Sequence, residues 1–508
     1  MAPRIFFSVR FPSPRAAVGR EREASDNLMR HIDCAHVLTG ADGTVLPAQR
    51  IAIDGERIAS LGPAPGSSAP LFAMPALVNA HDHGRAVRTL SLGAGNKPLE
   101  SWIAYLALFP SVDPYLAAAV SLANSARGGQ GTIMMHYTRA QGFTDLPTEA
   151  KEIARAARDV GVRVGFAVSL RDRNPLVYGP SEPILAALPP EARAEIEKRL
   201  LYKPHTPAEL VALTEAVAAA AANPMFEVQY GPNGVQWCSD ALLEAIAEAS
   251  ASKGRRIHMH LLETRYQRNY ADTHYPDGVV KHLDKLGFLS ERLSLAHCVC
   301  ARPDELELLA ERGVRIANNN SSNLHLRSGM APVSTMLKAG CRLAIGVDAT
   351  ALDFDDDALR ELRLVHFLHA GTGFKLEMSR RQLLEMGFVN GRFSVVNTDD
   401  GGRIAAGAPA DLLLLDWAAL DDEHIRDDVD PLELMLARAT ASHIRELIVA
   451  GRSVVKDGVV QGIDHAAARS EVLTQMRAGM AANDALARAL PALAKVMASF
   501  YEPEAPCC

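Results

Sequence analysis

The sequence predicts an α/β fold, a (β/α)8 TIM barrel with a small β-sandwich module built from both chain ends. Three observations carry this. Eight short apolar runs between residues 74 and 394 alternate with Ala- and Leu-rich amphipathic stretches, the pattern of β/α units. Polar and ionisable residues gather at the C-terminal ends of those runs, the rim on which such barrels place their chemistry. Strand-like segments before residue 74 and after residue 394 have no obvious partners nearby, and pairing them with one another leaves no long edge exposed. A doubly wound open sheet is the alternative for the same eight units.

Composition narrows the class. A chain of 508 residues exceeds one ordinary core, and 48% hydrophobic with 22% charged residues describes a soluble globular protein. A net charge of -7 offers no basic field for nucleic acid, which points to a small-molecule partner. No apolar run approaches the roughly 18 residues of a membrane span. Seven cysteines, scattered and including Cys507 and Cys508 at the end, read as thiols of a reducing, cytoplasmic compartment rather than as a disulfide framework. A homo-oligomer is expected.

Residues 1–30 carry Arg4, Arg10, Arg15 and Arg20 before the first acid, Glu21, with only Ile5 to Val9 as an apolar patch. They read as a disordered tail or as sequence ahead of a true start near Met29, with an organellar presequence as the alternative. Residues 31–73 form the first part of the sandwich: CAHVLT, ADGT and QRIAIDGERIASLG, with Asp-Gly pairs at Asp42 and Asp54 where hairpins turn. The second part, 395–463, holds ADLLLLD and RELIVAGRSVVKDGVV. The barrel, 74–394, has as strands PALVNA, GTIMMH, VRVGFAV, MFEVQY, RIHMHL, LSLAHC, VRIANN and RLAIGV. Helices such as Glu149 to Gly161 and Asp240 to Gly254 lie between them, the latter closed by glycine. The connection from Ser169 to about Pro207 is too long for a plain barrel loop and is the expected lid. Residues 464–508 form a C-terminal extension, helical over Ala466 to Phe500.

The rim residues form a constellation. His81 and His83 leave the first strand on one face, because side chains alternate with a period of two. His260 ends the fifth strand with Glu263 just beyond, His297 the sixth, and Asp348 the eighth. Three neutral nitrogens and a carboxylate suit zinc or ferrous iron with room for water, and Glu263 and His297 remain as proton carriers. One such residue alone is more often structural; six on the rims of the proper strands are hard to obtain by chance.

With these residues in place, the chain resembles the amidohydrolase superfamily, in the branch of S-adenosylhomocysteine and methylthioadenosine deaminases, guanine and cytosine deaminases, and triazine hydrolases. The matching pieces are PALVNAHDHG, MHLLET, LAHCV, SSNLHLRSGMAPV, LAIGVD and GGRIAAGAPADLLLLD, in the family's order. The resemblance implies a distorted barrel, His81, His83 and His260 as ligands of one divalent metal, Zn2+ before Fe2+, and Asp348 beside it. It implies Glu263 and His297 as the proton-transfer pair, with Asp348 also accepting a proton. The fourth strand has Gln229 and no lysine to bridge a second metal. The implied activity is attack of metal-bound hydroxide on an sp2 carbon, with release of ammonia or an amine from an amino-heterocycle. An amide, carbamate or urea hydrolase, or a triazine-type dehalogenase, is the alternative on the same site; a non-catalytic dihydropyrimidinase-related scaffold is the alternative of another class.

Four residues are candidate substrate contacts. Asn233 stands where relatives carry a histidine after the fourth strand; His136, where many carry an acid, reads as a substrate contact, as a support behind the metal ligands or as a core histidine. Trp102, with Leu99 and Tyr105, faces the pocket or packs a helix. Arg85, like Arg265 and Arg327, lies near a rim motif and suits a carboxylate or phosphate. Cys298 and Cys300 read as buried small residues rather than a second metal site, and the acidic run Asp353 to Asp357 as a helix N-terminus.

Overall fold

The structure, a computed structural model, describes residues 29–66, 69–349, 355–396, 398 and 400–502. The expectations for residues 1–28, for Asp353 and for Cys507 and Cys508 lie outside the described residues.

The chain ends meet in one sheet. Strands β1 (Arg30–Leu38), β2 (Val45–Asp54), β3 (Arg57–Pro63) and β4 (Leu71–Pro75) join β15 (Leu412–Asp416), β16 (Ile444–Val449), β17 (Arg452–Lys456) and β18 (Val459–Val460) in the order β18-β17-β16-β15-β4-β1-β2-β3. The seam is the antiparallel pair of β4 with β15, Leu412 opposite Pro75 through Asp416 opposite Leu71. Ile32, Val37, Ile51 and Ile58 from one end pack with Leu412, Leu414 and Ile448 from the other. Neither half could bury that apolar face alone. Both Asp-Gly pairs sit at turns, with Gly43 at φ 79° and Gly55 at φ 54°, conformations that cost a side chain dearly. β1 starts at Arg30, inside the expected tail, and Arg30 donates to Glu446 of β16 at 2.6 Å.

Between β4 and β15 lies the barrel. Its strands are β5 (Leu77–Asp82), β6 (Gln130–Tyr137), β7 (Arg163–Leu170), β8 (Phe226–Pro232), β9 (Ile257–Leu261), β10 (Leu293–His297), β11 (Arg315–Asn318) and β12 (Arg342–Ile345), parallel and in sequence order. All eight predicted strands are present. β6 is buried at every residue, as expected of a strand covered on both faces, and so reads as a continuous apolar run. The ring closes where the backbone N–H of Asp348 donates to the His81 carbonyl at 2.9 Å and that of Val347 to Asn79 Oδ1 at 2.9 Å. A Cβ on Gly346 would lie 2.0 Å from Asn319 Oδ1 and 2.8 Å from His81 Cβ, so only glycine allows the approach.

Local signals set the helices. Asp145 caps Leu146–Val160 by accepting from Thr148 N–H at 2.8 Å, and Gly161 at φ 100° ends it. Gly254, at φ 70°, ends Asp240–Lys253 as its sequence predicts. Asp357 accepts from Arg360 N–H at 3.1 Å and so begins Ala358–His369, the use expected for the end of the acidic run. Helix Asn390–Val396 plugs the barrel from within, and Gln229 Nε2 donates to the carbonyls of Ser394 and Val395 at 2.9 and 3.1 Å. The residue that replaces a bridging lysine is therefore tied to the plug. A short hairpin, β13 (Gly371–Thr372) and β14 (Lys375–Leu376), lies on the surface with Phe374 at its tip.

Candidate active site

The ends of β5, β9, β10 and β12 bring the predicted site residues together. His81 Nε2 lies 3.3 Å and His83 Nε2 3.1 Å from Asp348 Oδ1, and His260 Nε2 lies 3.4 Å from His83 Nε2. His297 Nε2 is 3.7 Å from Glu263 Oε2 and 3.9 Å from Asp348 Oδ2. Backbone strain marks the rim: Leu262, His297, Asp348 and Ala349 take φ of 51°, 75°, 66° and 79°. Left-handed backbone at non-glycine residues costs of order 1–3 kcal/mol each and clusters where geometry is held for function. Here it turns the His297 and Asp348 side chains off the ends of their strands.

Each imidazole is fixed from behind. His83 Nδ1 donates to the His136 carbonyl at 2.8 Å, and His260 Nδ1 to the Asn233 carbonyl at 3.0 Å. His81 Nδ1 bonds His258 Nε2 at 2.7 Å, and His258 Nδ1 bonds Ser294 Oγ at 2.7 Å. With Nδ1 engaged, Nε2 is left toward the centre. His81 Nε2 and Asp348 Oδ1 are buried and have no hydrogen-bond partner among the described residues, an expensive arrangement unless a cation sits between them. His81, His83 and Asp348 form one group close enough to hold an ion, and His81, His260 and His297 another. The donor set fits a divalent metal with nitrogen and oxygen ligands.

Electrostatics sort the groups by protonation. Burial pushes the His83 and His297 imidazoles down to about 4 and His260 well below its ordinary value, so all three are neutral at pH 7, the form a metal needs. Burial opposes the Asp348 charge, but the neighbouring His81 and His83 outweigh it and hold its carboxyl well below the usual range. Glu263 goes the other way. Burial first, then the Asp348 and Glu100 charges, push its carboxyl well above the ordinary range, and only Ser328 Oγ, at 3.4 Å, donates to it.

A cavity of about 370 Å³ opens over this rim, large enough for a small heterocyclic molecule. Arg85, Trp102, Asn233, Glu263, His297 and Asp348 border it. Trp102 Nε1 donates to Thr89 Oγ1 at 3.0 Å, and the Arg85 guanidinium lies 5.3 Å from its ring centroid. Asn233 spends its side-chain oxygen on the Ser169 hydroxyl at 2.7 Å. His136 is not among the residues that border the cavity. It is fully buried behind the histidine cluster, its ring stacked on His83 and His260 and its Nε2 bonded to the Gly231 carbonyl at 2.9 Å, the supporting place that is one of its three readings. A strand of alternating residues cannot show whether an inward histidine stops at the rim or one layer below it.

The connection expected as a lid forms cavity wall, contributing Arg171, Asn174, Tyr178 and Arg199. The C-terminal helix Asp484–Tyr501 adds Leu493, Met497 and Tyr501. Arg265 is turned to Glu502 and Arg327 to Asn96, so neither faces inward. Cys298 is buried and Cys300 half-buried, and neither joins a metal group among the described residues. Sequence reasoning missed the supports. Asn79 Nδ2 donates to Asp82 Oδ2 at 2.8 Å and to Gln130 Oε1 at 2.9 Å, Asp82 Oδ2 also accepts from Ala349 N–H at 3.1 Å, and Ser322 Oγ donates to Asp348 Oδ2 at 2.5 Å. His258, two residues before His260 on one strand face, was the signal available.

The rim gathers imidazoles and the Asp348 carboxylate at one point, beside a Glu263 carboxyl whose surroundings favour its acid form. The chain belongs to the amidohydrolase family, whose model matches residues 72–480, and is a hydrolase of carbon–nitrogen bonds. Among curated proteins it is 27% identical over 468 residues to a 5-methylthioadenosine/S-adenosylhomocysteine deaminase of Moorella thermoacetica, covering 88% of this chain and 98% of that protein. It is 32% identical over 245 residues to a 5'-deoxyadenosine deaminase of Methanosarcina barkeri, covering 48% of this chain and 56% of that one. Similar solved structures include an atrazine chlorohydrolase of Arthrobacter aurescens with zinc and atraton, TM-score 0.73 at 22% identity, covering 88% of this chain and 99% of that one. An adenosine deaminase of Xanthomonas campestris with bound zinc gives TM-score 0.71 at 22% identity, covering 89% and 98%. Among the described residues no helix is long and apolar enough to cross a membrane.

Proposed function

We propose that the protein is a single-metal deaminase that hydrolyses an amino-substituted heterocycle at its amidine carbon. The observation that carries this is the pair of buried atoms His81 Nε2 and Asp348 Oδ1, without a hydrogen-bond partner among the described residues, set beside a Glu263 carboxyl whose surroundings favour its acid form. His81, His83, His260 and Asp348 would hold the metal, and zinc is preferred because both solved relatives above contain it. Held by this set, a divalent metal would supply the acidification of water, from about 15.7 towards 7, that makes a nucleophile at neutral pH.

The chain's own residues handle the protons. Asp348, anchored by Ser322 through Oδ2, is the ionised base that takes a proton from the nucleophile. Glu263 is the acid that gives one to a ring nitrogen or to the departing amine, without which the amine would return to the tetrahedral carbon. His297 donates from Nδ1 to Asn323 Oδ1 at 2.8 Å, which leaves Nε2 facing both carboxyls to orient the exchange. Trp102 and the lid residues exclude water and position the ring. An amide, carbamate or triazine C–X hydrolase remains the second reading, favoured by the fold likeness to the triazine enzyme.

The test is ammonia release by the zinc-loaded protein from aminopurines, aminopyrimidines and aminotriazines, set beside an amide and carbamate panel. Release from an amino-heterocycle is expected. Turnover confined to amides, carbamates or halides moves the assignment to the second reading, and a metal content well under one per chain with no turnover favours the scaffold.

A further inference from the structure

The cavity wall carries charge that the reaction above does not use. Arg85, Arg139 and Arg199 border the cavity, and Arg139 lies close enough to both of the others to act on their charge. Gathering cations in a space shielded from water is unfavourable unless something answers them. Asp348 and Asp82 lie near enough to favour the Arg85 charge, but direct hydrogen bonds to it are few. Among the described residues, Arg85 Nη2 reaches only Thr138 Oγ1, at 3.5 Å, and its Nη1 is buried without a hydrogen-bond partner. Arg139 Nη2 is spent on the Phe109 carbonyl, and Arg199 Nη2 on Asn483 Oδ1 at 2.7 Å. Among the described residues no carboxylate pairs with Arg85 or Arg139 within 4.0 Å, whereas Arg199 has Glu195 at 3.7 Å.

The acids bordering the cavity are Glu100, Glu263 and Asp348, and none of them pairs with Arg85 or Arg139 within 4.0 Å. Glu100 accepts from Thr264 Oγ1 at 2.6 Å, and Asp348 Oδ1 faces His81 and His83. Several other guanidiniums do have a counter-ion: Arg392 and Arg163 share Asp411, and Arg268 meets Glu305 at 2.8 Å. Arg85 is also held in place, its guanidinium lying over the Trp102 ring, so its rotamer is set before any ligand arrives.

We propose that Arg85, with Arg139 beside it, forms an anion subsite, and that the substrate carries a carboxylate or a like anionic group on the ring whose amidine carbon reacts at the histidine cluster. This deepens the deaminase reading and rests on it for the reacting end alone. The Arg85 guanidinium is a planar fork of donors of the kind that matches a carboxylate's two oxygens, and its Nη2 has one long bond, to Thr138 Oγ1 at 3.5 Å. A neutral ring would leave that fork unpaired, so neutral and anionic analogues of one shape should be told apart strongly.

The test is calorimetric binding of benzoate, benzamide and phenyl phosphate to the zinc-loaded protein and to the same protein after chelation. Benzoate is expected to bind about 10- to 100-fold more tightly than benzamide in both forms, the range of one or two charge-assisted hydrogen bonds. In Arg85→Gln the preference should fall to within about 3-fold, in Arg139→Gln it should fall part of the way, and Arg85→Lys should keep a measurable share of it. Benzoate against phenyl phosphate separates a carboxylate from a phosphate. A preference that survives both glutamine variants, or that vanishes on chelation, puts the anion on the metal and overturns the proposal. Arg139→Gln lies outside the Trp102 contact and keeps the test decisive should Arg85→Gln not fold. Because binding is read without turnover, a protein that binds benzoate as expected yet releases no ammonia overturns the deaminase reading alone.

Discussion

Glu263 and Asp348 share a buried neighbour, His297, at 3.7 and 3.9 Å, yet their surroundings drive them to opposite protonation states. Burial favours the acid form of Glu263, and the imidazoles beside Asp348 favour its ionised form. Two carboxyls with separated proton affinities divide acid and base work. Replacing Glu263 with Gln keeps the shape and removes the transferable proton, so kcat should fall about 100- to 10,000-fold while KM changes only a few-fold. Steady-state kinetics decide it, and an unchanged kcat would remove Glu263 from the chemistry. At the other end of the site, His83→Ala deletes a nitrogen that faces Asp348 at 3.1 Å. Bound metal should drop from about one per chain to a small fraction, read by elemental analysis after dialysis.

At the scale of elements, the strand ends supply chemistry and two later segments supply the enclosure. The helix Asp484–Tyr501 lays Leu486, Leu490, Leu493 and Met497 against Leu99, Trp102 and Ile196. Its last residue is fastened by Tyr178 N–H donating to Tyr501 Oη at 2.9 Å. The enclosure therefore depends on apolar contact far along the chain from the rim. Leu490 is fully buried, and Leu490→Ala should cost about 2–5 kcal/mol through lost transfer energy and the cavity left behind. A urea titration measures this, and a loss well under 1 kcal/mol would show that the helix packs loosely on the lid.

For the whole molecule, Asp411 is the joint between sheet and barrel. Its Oδ2 accepts from Arg392 Nη1 at 2.7 Å and from Arg163 Nε at 3.1 Å, and its Oδ1 from Ala450 N–H at 2.7 Å. Removing the carboxylate strands two buried guanidiniums, so Asp411→Ala should lose roughly 3–5 kcal/mol, with the thermal midpoint as readout. The buried imidazoles give the fold its acid limit. His83 and His297, with folded values of about 4 against an ordinary 6.5, bind fewer protons folded than unfolded between those pH values. Stability is thus fully present above about 6.5 and falls as pH drops towards 4, by roughly a few kcal/mol for each histidine. Denaturant midpoints of the metal-free protein across that window check the sign; a midpoint that rises on acidification would contradict it.

Periodicity and turn chemistry in the sequence alone determined the eight strands, the shared sheet at the chain ends and the identity of the rim residues, because alternation, Asp-Gly turns and strand-end histidines are local properties. The side chains that converge, His81, His83, His260, Glu263, His297 and Asp348, are all among those the sequence singled out. Tertiary structure decided what lies one layer further. It put His136 behind the histidine cluster rather than on the cavity, spent the Asn233 side-chain oxygen on Ser169, and chose Arg85 over Arg265 and Arg327 as the guanidinium that borders the cavity. Depth within a barrel and the fold of a loop over its rim are set by contacts between residues hundreds of positions apart, such as Tyr178 with Tyr501, and no local pattern records them.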